Sequence, residues 1–128
     1  MPHPQSMYKA ANRNWSAAEK LQPHNQVPAV AGYLYGFAAE CAIKYRLRDY
    51  IPAPAERGGP HYEHFPKLRA ALKDSLEGRG ATELMRFAED SFMHDWDILI
   101  RYSDGTGVTP ALLARWRENA RAALEVLE

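Results

Sequence analysis

Cysteine is almost absent from this 128-residue chain: Cys41 stands alone, so no internal disulfide can form and a reducing, intracellular setting is expected. An excess of charge is missing too. Sixteen Lys and Arg face sixteen Asp and Glu, a formal net charge of zero with His neutral. That balance argues against coating nucleic acid through bulk charge, while leaving room for a local basic patch. Long apolar runs are lacking as well. Leu21 to Ala39 carries no formal charge, but Pro23, Asn25, Gln26 and Pro28 interrupt it, so no membrane span is expected. The opening MPHPQSMYKAANRNW lacks the basic-then-apolar layout of a signal peptide, and a cytoplasmic location is expected. No segment alternates like a strand, and no internal repeat stands out.

Helical periodicity is what remains. The length fits one domain, 1–128, and prolines and glycines divide it into five helical pieces. The first runs from about Gln5 to Gln22, with Met7, Tyr8, Ala11, Trp15, Ala18 and Leu21 on one face. The second spans Gln26 to Tyr50, with Pro28 in its first turn and an apolar stripe of Val30, Leu34, Phe37, Ala38, Cys41, Ala42 and Tyr45. Gly32 and Gly36 would let a neighbouring helix approach it closely. The stretch IPAPAERGGPHYEH, Ile51 to His64, is too rich in proline and glycine to be regular. A short third helix, Phe65 to Leu76, buries Phe65, Leu68, Leu72 and Leu76. Thr82 caps a fourth, Glu83 to Tyr102, and Thr109-Pro110 opens a fifth that ends at Leu127. The fifth buries Leu112, Leu113, Trp116, Ala120, Ala123, Leu124 and Leu127, and sets Arg115, Arg117 and Arg121 on a solvated face. The fold expected is an all-α, antiparallel bundle of four to five helices.

Three motifs add a family. The second helix contains AGYLYGFAAECAIKYRL, with Ala38-Ala39-Glu40 followed by Lys44; HFPKL, His64 to Leu68, opens the third; Trp96 and Arg101-Tyr102 close the fourth. Together these resemble HEPN domains, the "higher eukaryotes and prokaryotes nucleotide-binding" family, over most of the chain. The resemblance implies a HEPN-like bundle, frequent homodimerisation, and links to RNA cleavage, toxin–antitoxin pairs, phage defence and nucleotidyltransferase-type partners. Ribonuclease members carry Arg, four to six residues, then His near the end of the fourth helix. Arginine steadies a phosphate through its planar fork, and a histidine titrating near neutrality moves the proton. Here YSDGTGVTP follows Arg101, and no histidine occurs after His94. Asp104 stands where a substitute base would, but an exposed loop aspartate stays ionised, and it reads as a turn residue before Gly105. Arg57 and His64 match the Arg–His spacing literally, in the irregular loop rather than at a helix end.

His94, Asp97 and Arg101 share one face of the expected fourth helix. If Glu40 and Lys44 face them, two readings stay open. One is a phosphate or nucleotide site, with Arg101, Tyr102 and Lys44 as ligands and Glu40 and Asp97 as orienters. The other is a salt-bridge network between helices. Tyr33, Tyr35, Tyr45 and Tyr50 would stack on bases if exposed, and otherwise belong to the core or a dimer interface. His61, Glu63 and His64 lack a further ligand at diagnostic spacing, so no metal is expected. Gly105-Thr106-Gly107 lacks the lysine of a phosphate loop, and no cofactor is expected. Cys41 reads as a small buried hydrophobe.

The function expected is a small HEPN-like, dimeric protein without the usual ribonuclease pair. It would bind RNA, a nucleotide or a protein partner through the Arg101 region. One alternative is a metal-independent endoribonuclease using Arg101 with His64 or His94 as the base. Another is a dimerisation or assembly module whose polar cluster is structural.

Overall fold

The computed structural model describes residues 5–24, 28–52 and 59–128, whose regular structure is helical, with no strand among them. Five α-helices follow in order: α1 (Met7–Leu21), α2 (Pro28–Leu47), α3 (Lys67–Leu76), α4 (Thr82–Met85) and α5 (Pro110–Leu124). The all-α class expected from periodicity is the class observed. The expected start of the second helix at Gln26, and Arg57, lie outside the described residues. Among those residues no helix is long and apolar enough to cross a membrane.

Local chemistry sets several helix ends. The Ser6 hydroxyl accepts from the Lys9 N–H at 3.2 Å and caps α1. Thr109 caps α5 through the Leu112 N–H at 3.1 Å, with Pro110 in the first helical position. At α4 the cap position falls on Ala81, and Thr82 is the first helical residue with no capping hydrogen bond.

The central element is α2, which buries residues around its whole circumference from Ala31 to Leu47. Helix α1 packs antiparallel to it: Tyr8 meets Tyr45 and Trp15 meets Tyr35, with ring centroids 5.4 and 5.3 Å apart. Helix α5 runs in the same direction as α2. Its start faces Gly32 through Val108, and the chain end returns to α2 where Arg46 meets the Glu128 carbonyl at 3.5 Å. The bundle is therefore only partly antiparallel, because the whole excursion through α3 and α4 separates α2 from α5. Arg117 does not lie on a solvated face. It grips Glu19 of α1 through two bonds of 2.6 and 3.1 Å, and Glu19 also accepts from the buried Tyr35 hydroxyl at 2.7 Å. On α5, Val126 just past the helix is buried, while Leu112, Leu124 and Leu127 are half-buried. On α2, Val30 is exposed.

Gly32 and Gly36 accept indole rings rather than a helix backbone. A Cβ on Gly32 would meet the Trp116 ring at 2.8 Å, and one on Gly36 would collide with Trp96. Trp96 completes this seat by donating from Nε1 to the Gly32 carbonyl at 3.0 Å.

The expected fourth helix, Glu83 to Tyr102, does not form. After α4 come a 3-10 turn (Arg86–Ala88), a run of turns, and a second 3-10 turn (Ile98–Tyr102). Met93 and Asp95 sit at φ 52° and 67°, in the left-handed region that ends a helix. The backbone groups released are taken by side chains from elsewhere. Asn119 accepts from the Met93 N–H at 2.8 Å, Trp116 donates to the His94 carbonyl at 2.8 Å, and Arg69 donates to the Phe92 carbonyl at 2.9 Å. Phe92, Met93 and Trp96 remain buried, so the apolar residues reach the core by a different path.

Candidate functional site

The Arg101 region is a cleft of about 570 Å³ between the first turn of α2 and the loop after the second 3-10 turn. Pro28, Ala29, Val30 and Tyr33 form one wall, and Ile100, Arg101 and residues 103–106 form the other. Arg101 is exposed and makes no ion pair among the described residues. The Tyr33 hydroxyl, through hydrogen bonding, raises its pKa above the ordinary arginine value, with the neighbouring Tyr102 phenol adding to the effect. Its guanidinium carbon lies 4.8 Å from the Tyr102 ring centroid. Tyr102 is 73% exposed, and Leu99 and Val30 project nearby at 63% and 47%.

The loop that follows holds itself together. Asp104 accepts from the Thr106 N–H at 3.0 Å and from its hydroxyl at 2.8 Å. The Thr106 backbone bond holds the Asp104 carboxyl below its usual pKa, so this residue serves as a turn former and a poor base. Gly105 supplies φ 85° at the tip, where its backbone approaches Ala29.

A second polar centre lies further along α2. Glu40 is the buried charged residue of the core, 1% exposed. One carboxylate oxygen accepts from His64 Nδ1 at 2.7 Å and the other from the Phe65 N–H at 2.8 Å. The His64 side chain is 39% exposed, packs edge-on against Phe37, and leaves Nε2 without a hydrogen-bond partner among the described residues. A carboxylate behind one ring nitrogen fixes the imidazole's orientation and leaves the other nitrogen for chemistry.

The structure thus divides the expected cluster. Glu40 does not pair with Lys44, whose ammonium makes neither an ion pair nor a hydrogen bond among the described residues. Lys44 lines a different pocket, at the far end of α2 from Tyr33. Eleven residues separate the two, about 16 Å along a helix. His94, Asp97 and Arg101 do not share a helix face, because the backbone turns left-handed between them. Asp97 caps the 3-10 turn by accepting from the Leu99 N–H at 2.8 Å. His94 is exposed and lies 3.1 Å from Asp95, outside the cleft lining. What joins the Arg101 cleft to His64 is an aromatic row on α2: Tyr33 meets Phe37 at 5.1 Å and Phe37 meets His64 at 5.9 Å.

Sequence reasoning named Glu40 and His64 without pairing them, since they stand 24 positions apart in the chain. It also named Tyr33 only as a generic stacking residue. The signal for its role was spacing: Tyr33, Phe37 and Glu40 recur at four and three residues and so share one face of α2. His61 holds the Ile51 carbonyl from Nε2 at 2.8 Å. Among the described residues no group of three His, Cys, Asp or Glu side chains could hold a metal ion. No protein-family model, curated protein or solved structure matches this chain.

Proposed function

We propose that the Arg101 cleft binds a phosphate-bearing ligand, an RNA end or a nucleotide, as the resemblance to HEPN proteins led us to expect. The observation that carries this reading is an arginine without an acidic partner among the described residues, flanked by Tyr33 and Tyr102 at the rim of a cleft. The guanidinium offers a forked pair of donors to phosphate oxygens. Tyr102 offers an exposed ring for a base, and the row Tyr33–Phe37 continues away from the cleft. The first-turn N–H groups of the 20-residue α2 add positive potential to the same wall. Asp104 turns its carboxylate onto Thr106, which weakens its opposition to an anion.

One observation favours a second reading, RNA cleavage. The Glu40–His64 pair has the geometry of an oriented general base, and the aromatic row links it to Arg101. His64 Nε2 would take the proton of a 2′-hydroxyl, which attacks the adjacent phosphorus, while Arg101 would hold the strand at the other end of the aromatic row. The bond to the 5′-oxygen breaks, and that oxygen takes a proton from the imidazolium.

One assay tests both readings. End-labelled single-stranded RNA is mixed with the protein and with Arg101→Ala, His64→Ala and Glu40→Gln. Binding that vanishes in Arg101→Ala supports the cleft, and equal binding by both proteins overturns it. Cleavage lost in all three variants, with binding kept in the latter two, supports the second reading. Intact RNA in the presence of wild-type protein overturns it.

A further inference from the structure

At the opposite end of α2, where α1 begins and the chain returns from its long loop, a pocket of about 360 Å³ opens between Tyr8, Lys44, Tyr45, Arg48, His61 and Tyr62. Its lining among the described residues contains three tyrosines, a lysine, an arginine and a histidine, with no carboxylate. That composition is unusual for a chain with equal numbers of acids and bases. Asp49 and Glu83 pair with Arg46 at 3.1 and 3.4 Å, and Glu40 with His64 at 2.7 Å. Lys44 and Arg48 make no ion pair among the described residues and stand four residues apart, in the last turn of α2 and just past its end.

The aromatic side is organised as well. Tyr8 and Tyr45 meet edge to face at 5.4 Å, and Arg48 lies over the Tyr45 ring at 4.8 Å with its Nε held by the Tyr45 carbonyl at 3.2 Å. This fixes the guanidinium against a flat surface. His61 gives a separate sign of an unfilled partner. Its Nε2 is bound to the Ile51 carbonyl at 2.8 Å, and its Nδ1 is buried with no hydrogen-bond partner among the described residues. A carbonyl accepts only, so Nε2 carries a proton there, and Nδ1 is the ring nitrogen left for a further partner.

The geometry points to a second ligand site here, for a nucleoside phosphate. Lys44 and Arg48 hold the phosphate, the Tyr8–Tyr45 surface takes the flat ring, and the His61 edge meets a polar group on the ligand. This site goes beyond the Arg101 cleft and uses none of its residues. The two cations match a doubly charged phosphate, whereas a neutral ring would leave them unanswered.

The test is calorimetric titration with adenosine 5′-monophosphate, adenosine and inorganic phosphate. The proteins compared are the wild type, Lys44→Gln/Arg48→Gln, Tyr45→Leu and Arg101→Ala. The monophosphate is expected to bind the wild type more tightly than adenosine or phosphate alone. The double variant changes charges at the surface and should weaken it by about tenfold or more. Tyr45→Leu should weaken the monophosphate while sparing inorganic phosphate, and Arg101→Ala should leave this binding intact. Absence of binding by the wild type overturns the site. So does undiminished binding by the double variant, loss in Arg101→Ala alone, or phosphate binding as tightly as the nucleotide. Loss of RNA binding in Arg101→Ala with monophosphate binding intact separates this site from the cleft.

Discussion

Glu40 and His64 are held together at 2.7 Å by a carboxylate that is 1% exposed and an imidazole that is 39% exposed. The carboxylate's second bond, to the Phe65 N–H, ties the loop before α3 to the centre of α2. Removing the carboxylate strands two donors and leaves a cavity. Glu40→Ala is expected to cost about 3 kcal/mol and Glu40→Gln, which keeps the volume and one acceptor, about 1–2 kcal/mol. Chemical denaturation of the two variants checks the order. Equal losses would show that hydrogen bonding rather than packing sets the cost there.

The glycines of α2 form a graded series. Gly36→Ala drives a methyl into the Trp96 ring, which is also held by its bond to Gly32, and should cost about 3 kcal/mol. Gly32→Ala meets the Trp116 ring at 2.8 Å and should cost about 1–2 kcal/mol. Gly107→Ala meets nothing within 4 Å and serves as the neutral control. Thermal melts of the three should fall in that order.

Acid should loosen the contact between α1 and α5. The Arg117 side-chain bond holds the Glu19 carboxyl below its usual 4.5, with the Tyr35 hydroxyl assisting against burial. The folded state then binds fewer protons than the unfolded state across that window. This contribution is present above pH 4.5 and is lost as pH falls through the lower folded value. Glu19→Gln should flatten the stability–pH curve below pH 4.5 and leave its shape above that unchanged, by urea unfolding at each pH.

Burial pushes the Cys41 thiol up to about 11, with the neighbouring Glu40 charge adding to it. Little thiolate exists at pH 8, so a disulfide reagent should modify the native protein slowly and the unfolded protein at once. Rapid reaction in the folded state would place Cys41 outside the core.

The turns between α4 and α5 depend on partners from α5. Asn119→Ala leaves the buried Met93 N–H without an acceptor and should cost about 1–3 kcal/mol. If this segment were free to become helical instead, helix content would rise in the variant's circular dichroism spectrum.

That segment is also where sequence reasoning failed. No proline or glycine lies between Glu83 and Tyr102, and the apolar residues step at helical spacing. The polar run Asp90, Ser91, His94, Asp95 and Asp97 is the signal that was available, since such side chains compete with a helix for its own backbone. Leu84, Phe87 and Phe92 follow the helical step and are buried, whereas Leu99 and Tyr102 on the same step are exposed, because periodicity is blind to a backbone that turns between them. The candidate site shared this fate. Arg101 and Tyr102 were legible as a pair because they are adjacent, whereas Lys44 was joined to them only on the assumption of a straight helix.

The sequence alone determined the helical class, an apolar stripe on α2 and the Thr109-Pro110 start of α5, because these depend on apolar spacing and on bonds within a few residues. The tertiary structure decided which charges meet. Glu40 took His64 across 24 residues and not Lys44 four residues away. Glu19 took Arg117 across 98 residues. A buried carboxylate is stable only where donors converge on it, and their convergence is set by how the helices pack.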